Sequence, residues 1–556
     1  MMVNMSGGQA VVNTLIALGA RRGFGVPGES FLAVLDAFYD ASGFTFTGCR
    51  NEGGAAFMAE AWAKLTGEVG LCFVTRGPGA TNASIGVHTA MQASTPMILF
   101  VGQVGLEHQG REAFQELDYR QVFGPIAKYS TEITDVSRTG EIIRRAWSMA
   151  ISGRPGPVVV ALPEDILTQI SNIDISQEKI SAPLGGAMPA DILQLSEKIE
   201  GAQRPVIIVG GGGWTDLDRN VLKNCANELN IPVVTAFRYH DLFDNTDPLF
   251  VGEAGVGMTA NTKRILREAD VILAVNLRFG EMTTDAFTLF GTERSGQWIG
   301  QTHRSGDEFH KYVSPDLAMI CSPSAVLQSL LERLSCTNMQ VDSTWVTVAR
   351  DGFIASQIAK PQPSPVDMGK VTAIVQELLP RDAIVTNGAG NFAIWPNKFI
   401  QFSADQRLLA PQSGAMGYGL PAAIAAKLEY PNRCVVCFAG DGDFQMNCQE
   451  LGTALQSDAR PVVLIVNNGT YGTIRMHQEK HYPVRVSGTD IVNPDFSALA
   501  EAYGCYAERI ETTAEFAAAF IRALASPTGA VLDLNVAAEA ITPSLTIEGL
   551  RASSQN

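Results

Sequence analysis

Short apolar runs recur along this chain, spaced widely enough to leave room for a helix between them. In the first third they are Arg22-Gly23-Phe24-Gly25-Val26, Val69-Gly70-Leu71-Cys72-Phe73-Val74, Pro96-Met97-Ile98-Leu99-Phe100-Val101 and Pro157-Val158-Val159-Val160-Ala161-Leu162. Short runs rich in β-branched and aromatic residues and bounded by turn formers read as strands. Continuous apolarity, rather than alternation, marks strands covered on both faces. The same pattern returns from Pro205-Val206-Ile207-Ile208-Val209 to near Cys336, and again from Met368 onward. Ser171 to Pro189 is polar, then rich in Gly and Pro, and reads as a linker; so does Asp342 to Asp367. The expected fold is α/β, with three doubly wound parallel-sheet domains at 1–170, 189–336 and 366–556.

Bulk composition narrows the function classes. At 556 residues the chain exceeds one core, and three domains is a natural prior. The 41 Lys and Arg against 57 Asp and Glu give a net charge of -16, which argues against nucleic acid and anionic membrane surfaces. No apolar stretch approaches the roughly 20 residues of a membrane span. Met1 to Gly8 is short and polar, unlike a signal peptide, and Gln9-Ala10-Val11-Val12 begins an amphipathic helix. The nine cysteines are scattered in apolar surroundings, which fits a reduced cytoplasm. Cys434-x-x-Cys437 lies within a strand, where residues three apart face opposite sides, so a redox or metal pair is not expected.

The most informative segment is Gly440-Asp441-Gly442. The strand Cys434 to Ala439 delivers Asp441 to the sheet edge where ligands of open α/β sheets bind. Gly440 and Gly442 allow close approach of the backbone, and Met446 to Gln456 reads as a helix whose first amides could take phosphate oxygens. A second strand, Pro461 to Val466, brings Asn467-Asn468 to the same edge. A carboxylate, a side-chain amide and a free carbonyl make a hard oxygen site suited to Mg²⁺ carrying a diphosphate. Asp441, Asn468 and the Thr470 carbonyl are the expected ligands. The segment resembles the thiamine diphosphate motif, in which GDG is followed by about two dozen residues and NN; here 24 residues, Asp443 to Val466, intervene. A further Gly-rich strand end, Asn387-Gly388-Ala389-Gly390-Asn391, can present more amides and the Asn391 side chain to the diphosphate.

Thiamine diphosphate chemistry needs an acid beside the pyrimidine N1′. Glu52, in Cys49-Arg50-Asn51-Glu52-Gly53-Gly54, precedes small apolar residues and a helix, and is the candidate. In Ser413-Gly414-Ala415-Met416-Gly417-Tyr418, Met416 is long and unbranched enough to wedge between the two rings of the cofactor. The Gly414 carbonyl could accept from the 4′-amino group.

The whole chain resembles the acetolactate synthase / 2-oxo-acid decarboxylase superfamily. The landmarks are Gly25-Val26-Pro27-Gly28, Arg50-Asn51-Glu52-Gly53, Gly77-Pro78-Gly79-Ala80-Thr81-Asn82, Ala113-Phe114-Gln115-Glu116, Ser152-Gly153-Arg154-Pro155-Gly156-Pro157 and Met416-Gly417-Tyr418-Gly419, with the diphosphate motif. The resemblance implies a pyrimidine-binding domain, a central domain and a diphosphate-binding domain. It implies a homodimer or homotetramer with active sites between subunits, and a small 2-oxo acid as substrate. The cofactor set it implies is Asn82, Gly388, Ala389, Gly390, Asn391, Gly414, Met416, Gly440, Gly442, Asp443 and Tyr471.

Departures bear on substrate choice. His477 stands where anabolic acetolactate synthases carry an acceptor-selecting Trp, and Glu164 replaces the family's lysine. Leu277-Arg278-Phe279-Gly280-Glu281 lacks the usual acidic pair, and Gln301-Thr302-His303 stands where a strand-end Asp is usual; both weigh against FAD. Gly210-Gly211-Gly212-Gly213 follows a strand but misses the dinucleotide spacing, because Thr215 takes the third glycine position. Glu29 sits where decarboxylase relatives place an acidic or hydroxyl residue, and could donate a proton after CO₂ leaves. Gln115 matches the active-site Gln of the synthases and pulls towards ligation. His88 and His477 are further polar candidates. The expectation is decarboxylation with carboligation. The alternatives are a simple 2-oxo-acid decarboxylase, a lyase on 2-hydroxy ketones or diones, and, more remotely, a cofactor-binding paralogue without turnover.

Overall fold

The computed structural model describes residues 2–553 apart from 177, 292–295, 336, 338 and 340. Met1, Cys336 and the last three positions therefore lie outside the described residues. Three six-stranded sheets carry the chain. The first comprises β1 (Arg22–Gly25), β2 (Thr45–Gly48), β3 (Gly70–Val74), β4 (Met97–Gln103), β5 (Tyr129–Glu132) and β6 (Pro157–Pro163), in the order β2-β1-β3-β4-β6-β5. The central sheet comprises β7 (Pro205–Val209), β8 (Val233–Ala236), β9 (Phe250–Ala254), β10 (Val271–Val275), β11 (Trp298–His303) and β12 (Leu317–Ile320), in the order β9-β8-β7-β10-β11-β12. The third comprises β13 (Ile384–Asn387), β14 (Arg407–Leu409), β15 (Val435–Gly440), β16 (Val462–Asn467), β17 (Tyr506–Ile510) and β18 (Ala530–Asn535), in the order β14-β13-β15-β16-β18-β17. Every neighbouring pair in these sheets is parallel. The α/β architecture expected from the apolar runs is the one observed.

Topology decides where a ligand can sit. The first and third sheets share one strand order, and in both the winding reverses beside the first strand. The crevices outside the strand ends there, between β1 and β3 and between β13 and β15, are the binding positions of such sheets. The glycine loop after β7 is a strand-to-helix turn. Thr215 caps the helix Asp216–Leu229 in a reciprocal box with Asp218, and Asn276 Nδ2 donates to the Gly212 carbonyl at 3.0 Å.

Cores form on both faces of each outer sheet. The inner faces of the first and third sheets share one core, running from Phe24, Leu99 and Val159 to Ile384, Val463 and Val531. At its centre pack the helices Glu52–Thr66 and Gly419–Glu429, both rich in Gly and Ala, which lets their backbones approach closely. Glu60 is buried there and accepts from Tyr418 Oη at 2.6 Å and Thr95 Oγ1 at 2.7 Å, so the carboxylate is satisfied across the two domains. Cys437 faces this shared core while Cys434 packs on the opposite side of its sheet.

Three local expectations need correction. The expected first linker begins inside a strand: Ser171–Asp174 belong to the strand Ile170–Asp174, antiparallel to Met2–Ser6, which ties the chain start to the end of the first domain. Ser6 then caps the helix Gly7–Ala17, two residues before the expected start at Gln9. The expected second linker contains the helix Trp345–Ser356, whose Trp345, Ala349 and Phe353 fall on one stripe and bury against the central core. Trp345 Nε1 donates to the Pro205 carbonyl at 2.9 Å.

The end of β11 makes acid stability predictable. His303 is buried, its Nδ1 accepts from Ser305 N at 3.0 Å, and burial holds its pKa down to about 4 from 6.5. Between those values the unfolded chain binds more protons at this site than the folded one. Stability from this group therefore falls as pH drops from 6.5 towards 4, by up to ~3 kcal/mol. Asp443, raised from 3.8 to about 7 by burial, tilts the same window the opposite way. The quantity to read is thus the difference between wild type and His303→Asn in the thermal midpoint at pH 4.5 and 7. His303→Asn should lose less on acidification, and an unchanged difference would refute the assignment.

Candidate active site

β15 ends in Gly440 and the chain enters the short helix Asp441–Gln445 at once. The amides at this sheet edge therefore belong to Asp441–Asp443, not to Met446 onward as expected. The continuous helix expected over Met446–Gln456 is broken at Asn447, followed by a 3₁₀ turn at Cys448–Glu450 and a helix at Leu451–Gln456. The cause is long-range: Asn447 leaves helical geometry, and its Nδ2 donates to the Gly417 carbonyl at 2.8 Å.

Asp441 is buried and heavily partnered. Its Oδ2 accepts from Gly469 N at 2.8 Å and Asn493 Nδ2 at 2.7 Å, and its Oδ1 from Gly442 N at 2.8 Å. Burial pushes its carboxyl above the usual range, with those donors pulling it back. Asn493 also donates to Asn467 Oδ1 at 2.8 Å, so it clamps the ends of β15 and β16 together. It is a residue that the sequence reading missed. Asp443 is also buried; its Oδ1 accepts from Gly417 N at 2.9 Å and Ala389 N at 3.1 Å, joining three loops. Arg238, likewise unread in the sequence, reaches from the central domain to donate to the Gly388 carbonyl at 3.2 Å.

These loops enclose a cavity of about 260 Å³. Ala389, Gly390, Asn391, Gly414, Met416, Gly440, Asp441, Gly442, Asp443, Asn468, Thr470 and Tyr471 all line it, whereas Gly388 does not. Gly442 leaves room for the Tyr471 ring: a Cβ there would come within 2.6 Å of it, so the ring would have to shift. Among the described residues, no three His, Cys, Asp or Glu side chains converge on a point. The donor set for a cation is one carboxylate, one amide and main-chain carbonyl. That set fits Mg²⁺, which takes few protein ligands and completes its shell with phosphate and water. The glycine-lined cradle and main-chain amides fit a diphosphate.

At the crevice of the first sheet, Asn51 caps the helix that Glu52 begins, accepting from Gly53 N at 2.8 Å. Glu52 is half-buried and accepts from Asn82 Nδ2 at 2.9 Å. A Cβ at Gly79 would lie 3.3 Å from its Oε1. Gln115 is half-buried at φ +64° against Gly77, whose built Cβ would lie 2.9 Å from the Gln115 carbonyl. Glu29 is exposed at the start of a 3₁₀ turn after β1. Glu164 pairs with Arg76 at 2.9 Å. His88 lines a second cavity of about 480 Å³ that shares Gly390, Asn391, Gly414 and Thr473 with the smaller one. His477 is exposed, ring-parallel to His481 at 6.3 Å, and lines neither cavity. Every residue lining the 260 Å³ cavity comes from the third domain, so one chain does not bring Glu52 to it.

Three matches to known families run the length of the chain. Residues 5–122 match the N-terminal TPP binding domain of thiamine pyrophosphate enzymes, 192–330 their central domain, and 388–534 their C-terminal TPP binding domain. The chain belongs to the thiamine pyrophosphate enzymes. The enzyme is 33% identical to the acetolactate synthase isozyme 3 large subunit of Escherichia coli (strain K12), over 90% of this chain and 89% of that one. It is 33% identical to a probable acetolactate synthase large subunit of Methanocaldococcus jannaschii, over 95% and 92%. It is 32% identical to the acetolactate synthase large subunit of Parasynechococcus marenigrum, over 96% and 88%. No helix among its described residues is long and apolar enough to cross a membrane.

Proposed function

We propose that the enzyme uses thiamine diphosphate and Mg²⁺ to decarboxylate a 2-oxo acid and to ligate the remaining fragment to a second carbonyl compound, a reaction of the acetolactate synthase type. Its main support is the pairing of two switch-point crevices, one a glycine cradle with an oxygen donor set, the other presenting Glu52 and Gln115. Kinship with acetolactate synthase large subunits over most of the chain supports ligation. Bound, the cofactor supplies the electron sink on which CO₂ is lost.

The chain's own residues do the rest. Asp441, Asn468 and the Thr470 carbonyl hold the metal, while the amides of Gly390, Asn391 and Asp443 hold the diphosphate; those of Ala389 and Gly442 are engaged by the Asp443 and Asp441 carboxylates. Met416 wedges the rings, and the Gly414 carbonyl accepts from the amino group. Glu52, steadied by Asn82, shares a proton with the pyrimidine N1′. A second copy of the chain must bring Glu52 to the cavity, so the proposed assembly is a homodimer or homotetramer with sites between subunits. The eight described cysteines are all unpaired, which fits a reducing, cytoplasmic setting. FAD is left out of the proposed set: where a strand-end carboxylate would hold a ribose, the central sheet ends in buried, neutral His303.

A second reading, simple decarboxylation or lyase action on 2-hydroxy ketones or diones, is favoured by Glu29 at the mouth of the first crevice. Purified protein with thiamine diphosphate, Mg²⁺ and pyruvate separates the two. Acetolactate is the expected product, and acetaldehyde would replace ligation with protonation. If Glu29 donates that proton, Glu29→Gln raises the ligated share; an unchanged ratio removes it from the role. Cofactor binding without CO₂ release from any 2-oxo acid tried would revive the non-catalytic reading beside that of a lyase on 2-hydroxy ketones or diones.

A further inference from the structure

The loop that delivers Glu52 is built on a carboxylate from the third domain of the same chain. Glu450 ends the 3₁₀ turn Cys448–Glu450 and is fully buried. Its Oε1 accepts from Asn51 N at 2.8 Å and from Arg50 N at 3.1 Å. Its Oε2 accepts from Thr453 Oγ1 at 2.6 Å. Arg50 adds bonds to the Gly452 carbonyl at 3.1 Å and to Gln456 Oε1 at 2.7 Å. Gly54, on the next turn, has no room for a side chain, since a Cβ there would lie 2.7 Å from Glu450 Oε1. Asn51, held through its amide, uses its own side chain to start the helix at Glu52. The Glu52 backbone is thus one peptide beyond two anchored amides. On its other side, the turn continues from Asn447, which is bonded to Gly417, which is bonded in turn to Asp443 of the cradle.

We propose that Glu450 is the positioning residue for Glu52: by accepting the Arg50 and Asn51 amides it holds the Glu52 carboxyl where it can meet the cofactor pyrimidine. This rests on the reading of Glu52 given under Proposed function. Main-chain donors to a buried carboxylate are charge-assisted and short, which makes them stronger than neutral bonds. Among the described residues, no other carboxylate bonds these two amides. Glu450 touches neither cavity, so its effect passes through the loop alone.

Three measurements on the full-length protein test this. In the cofactor-free form, hydrogen exchange of a peptide covering residues 50–56 should be slow in wild type. It should be at least about tenfold faster in Glu450→Gln, which keeps one acceptor oxygen and loses the other. Loaded with thiamine diphosphate and Mg²⁺, Glu450→Gln should show a kcat about 10–100-fold lower, with KM for the 2-oxo acid and cofactor affinity within about twofold. Deuterium exchange at the cofactor C2 position should slow in parallel. Gly54→Ala, which displaces the carboxylate but leaves it chemically intact, should give the same signature.

Rapid exchange at residues 50–56 in wild type would overturn the proposal, even if neither variant folds. So would faster exchange with unchanged kcat and C2 exchange, or a loss of activity explained by cofactor affinity alone. Glu52→Gln separates the levels. If it exchanges C2 as fast as wild type, the reading of Glu52 has failed. If it is slow and Glu450→Gln is fast, only the positioning role has failed.

Discussion

Glu52→Gln should retain thiamine diphosphate and lose about 10²–10⁴-fold in kcat, the usual reach of a positioned acid or base. An amide of the same shape can still accept from Asn82 Nδ2, which bonds Oε2 at 2.9 Å, so the local geometry survives. What it cannot do is share a proton with the pyrimidine N1′. The loss should therefore appear in kcat and not in cofactor affinity, and Asn82→Ala should give a smaller loss of the same kind. Steady-state kinetics alongside cofactor titration by fluorescence quenching would decide it. Wild-type activity in Glu52→Gln would remove the carboxyl from activation altogether.

Asp441→Ala should weaken Mg²⁺-dependent binding of thiamine diphosphate by at least about 10²-fold. Partners one shell away from a metal cost 10–100-fold when removed, and a direct ligand should cost no less. Asn493→Ala supplies the internal comparison, because it strips one bond from Asp441 Oδ2 without removing the carboxylate. Its loss should fall between wild type and Asp441→Ala. Chelating the metal from wild type should release the cofactor, whereas Asp441→Ala should be nearly indifferent to Mg²⁺. Asp441→Asn keeps the size of the side chain and separates lost charge from a collapsed loop. Wild-type affinity in Asp441→Ala would move the metal site elsewhere.

The strand ends around Asp441 and Asn468 are readable in the sequence because their cause is local. The run Val435-Val436-Cys437-Phe438-Ala439 stops at glycine, and the two strands that end at Gly440 and Asn467 fall within one residue of the expected ones. The cradle residues follow, since a strand end in a parallel sheet fixes which loop faces the crevice. The break at Asn447 is not readable, because it depends on a carbonyl thirty residues upstream. Asn493, Arg238 and Glu450 escape for the same reason: nothing in Val492-Asn493-Pro494 or Gln449-Glu450-Leu451 indicates which distant groups will meet them. The helix Trp345–Ser356 was within reach. Its apolar stripe has helical spacing, but the prolines further along dominate the composition of that stretch. His477 shows the converse limit: aligned with a family position, it lies outside the cavities of a single chain.

The core shared by the first and third sheets sets a schedule for biosynthesis. The helix Glu52–Thr66 leaves the ribosome about 350 residues before Gly419–Glu429, against which its Gly- and Ala-rich face packs. At 5–20 residues per second, that face waits roughly 20–70 s for its cover. A nascent first domain would spend this interval with an apolar flank open to water. The demand on chaperones should therefore peak mid-translation, and slowing elongation should lower the soluble yield.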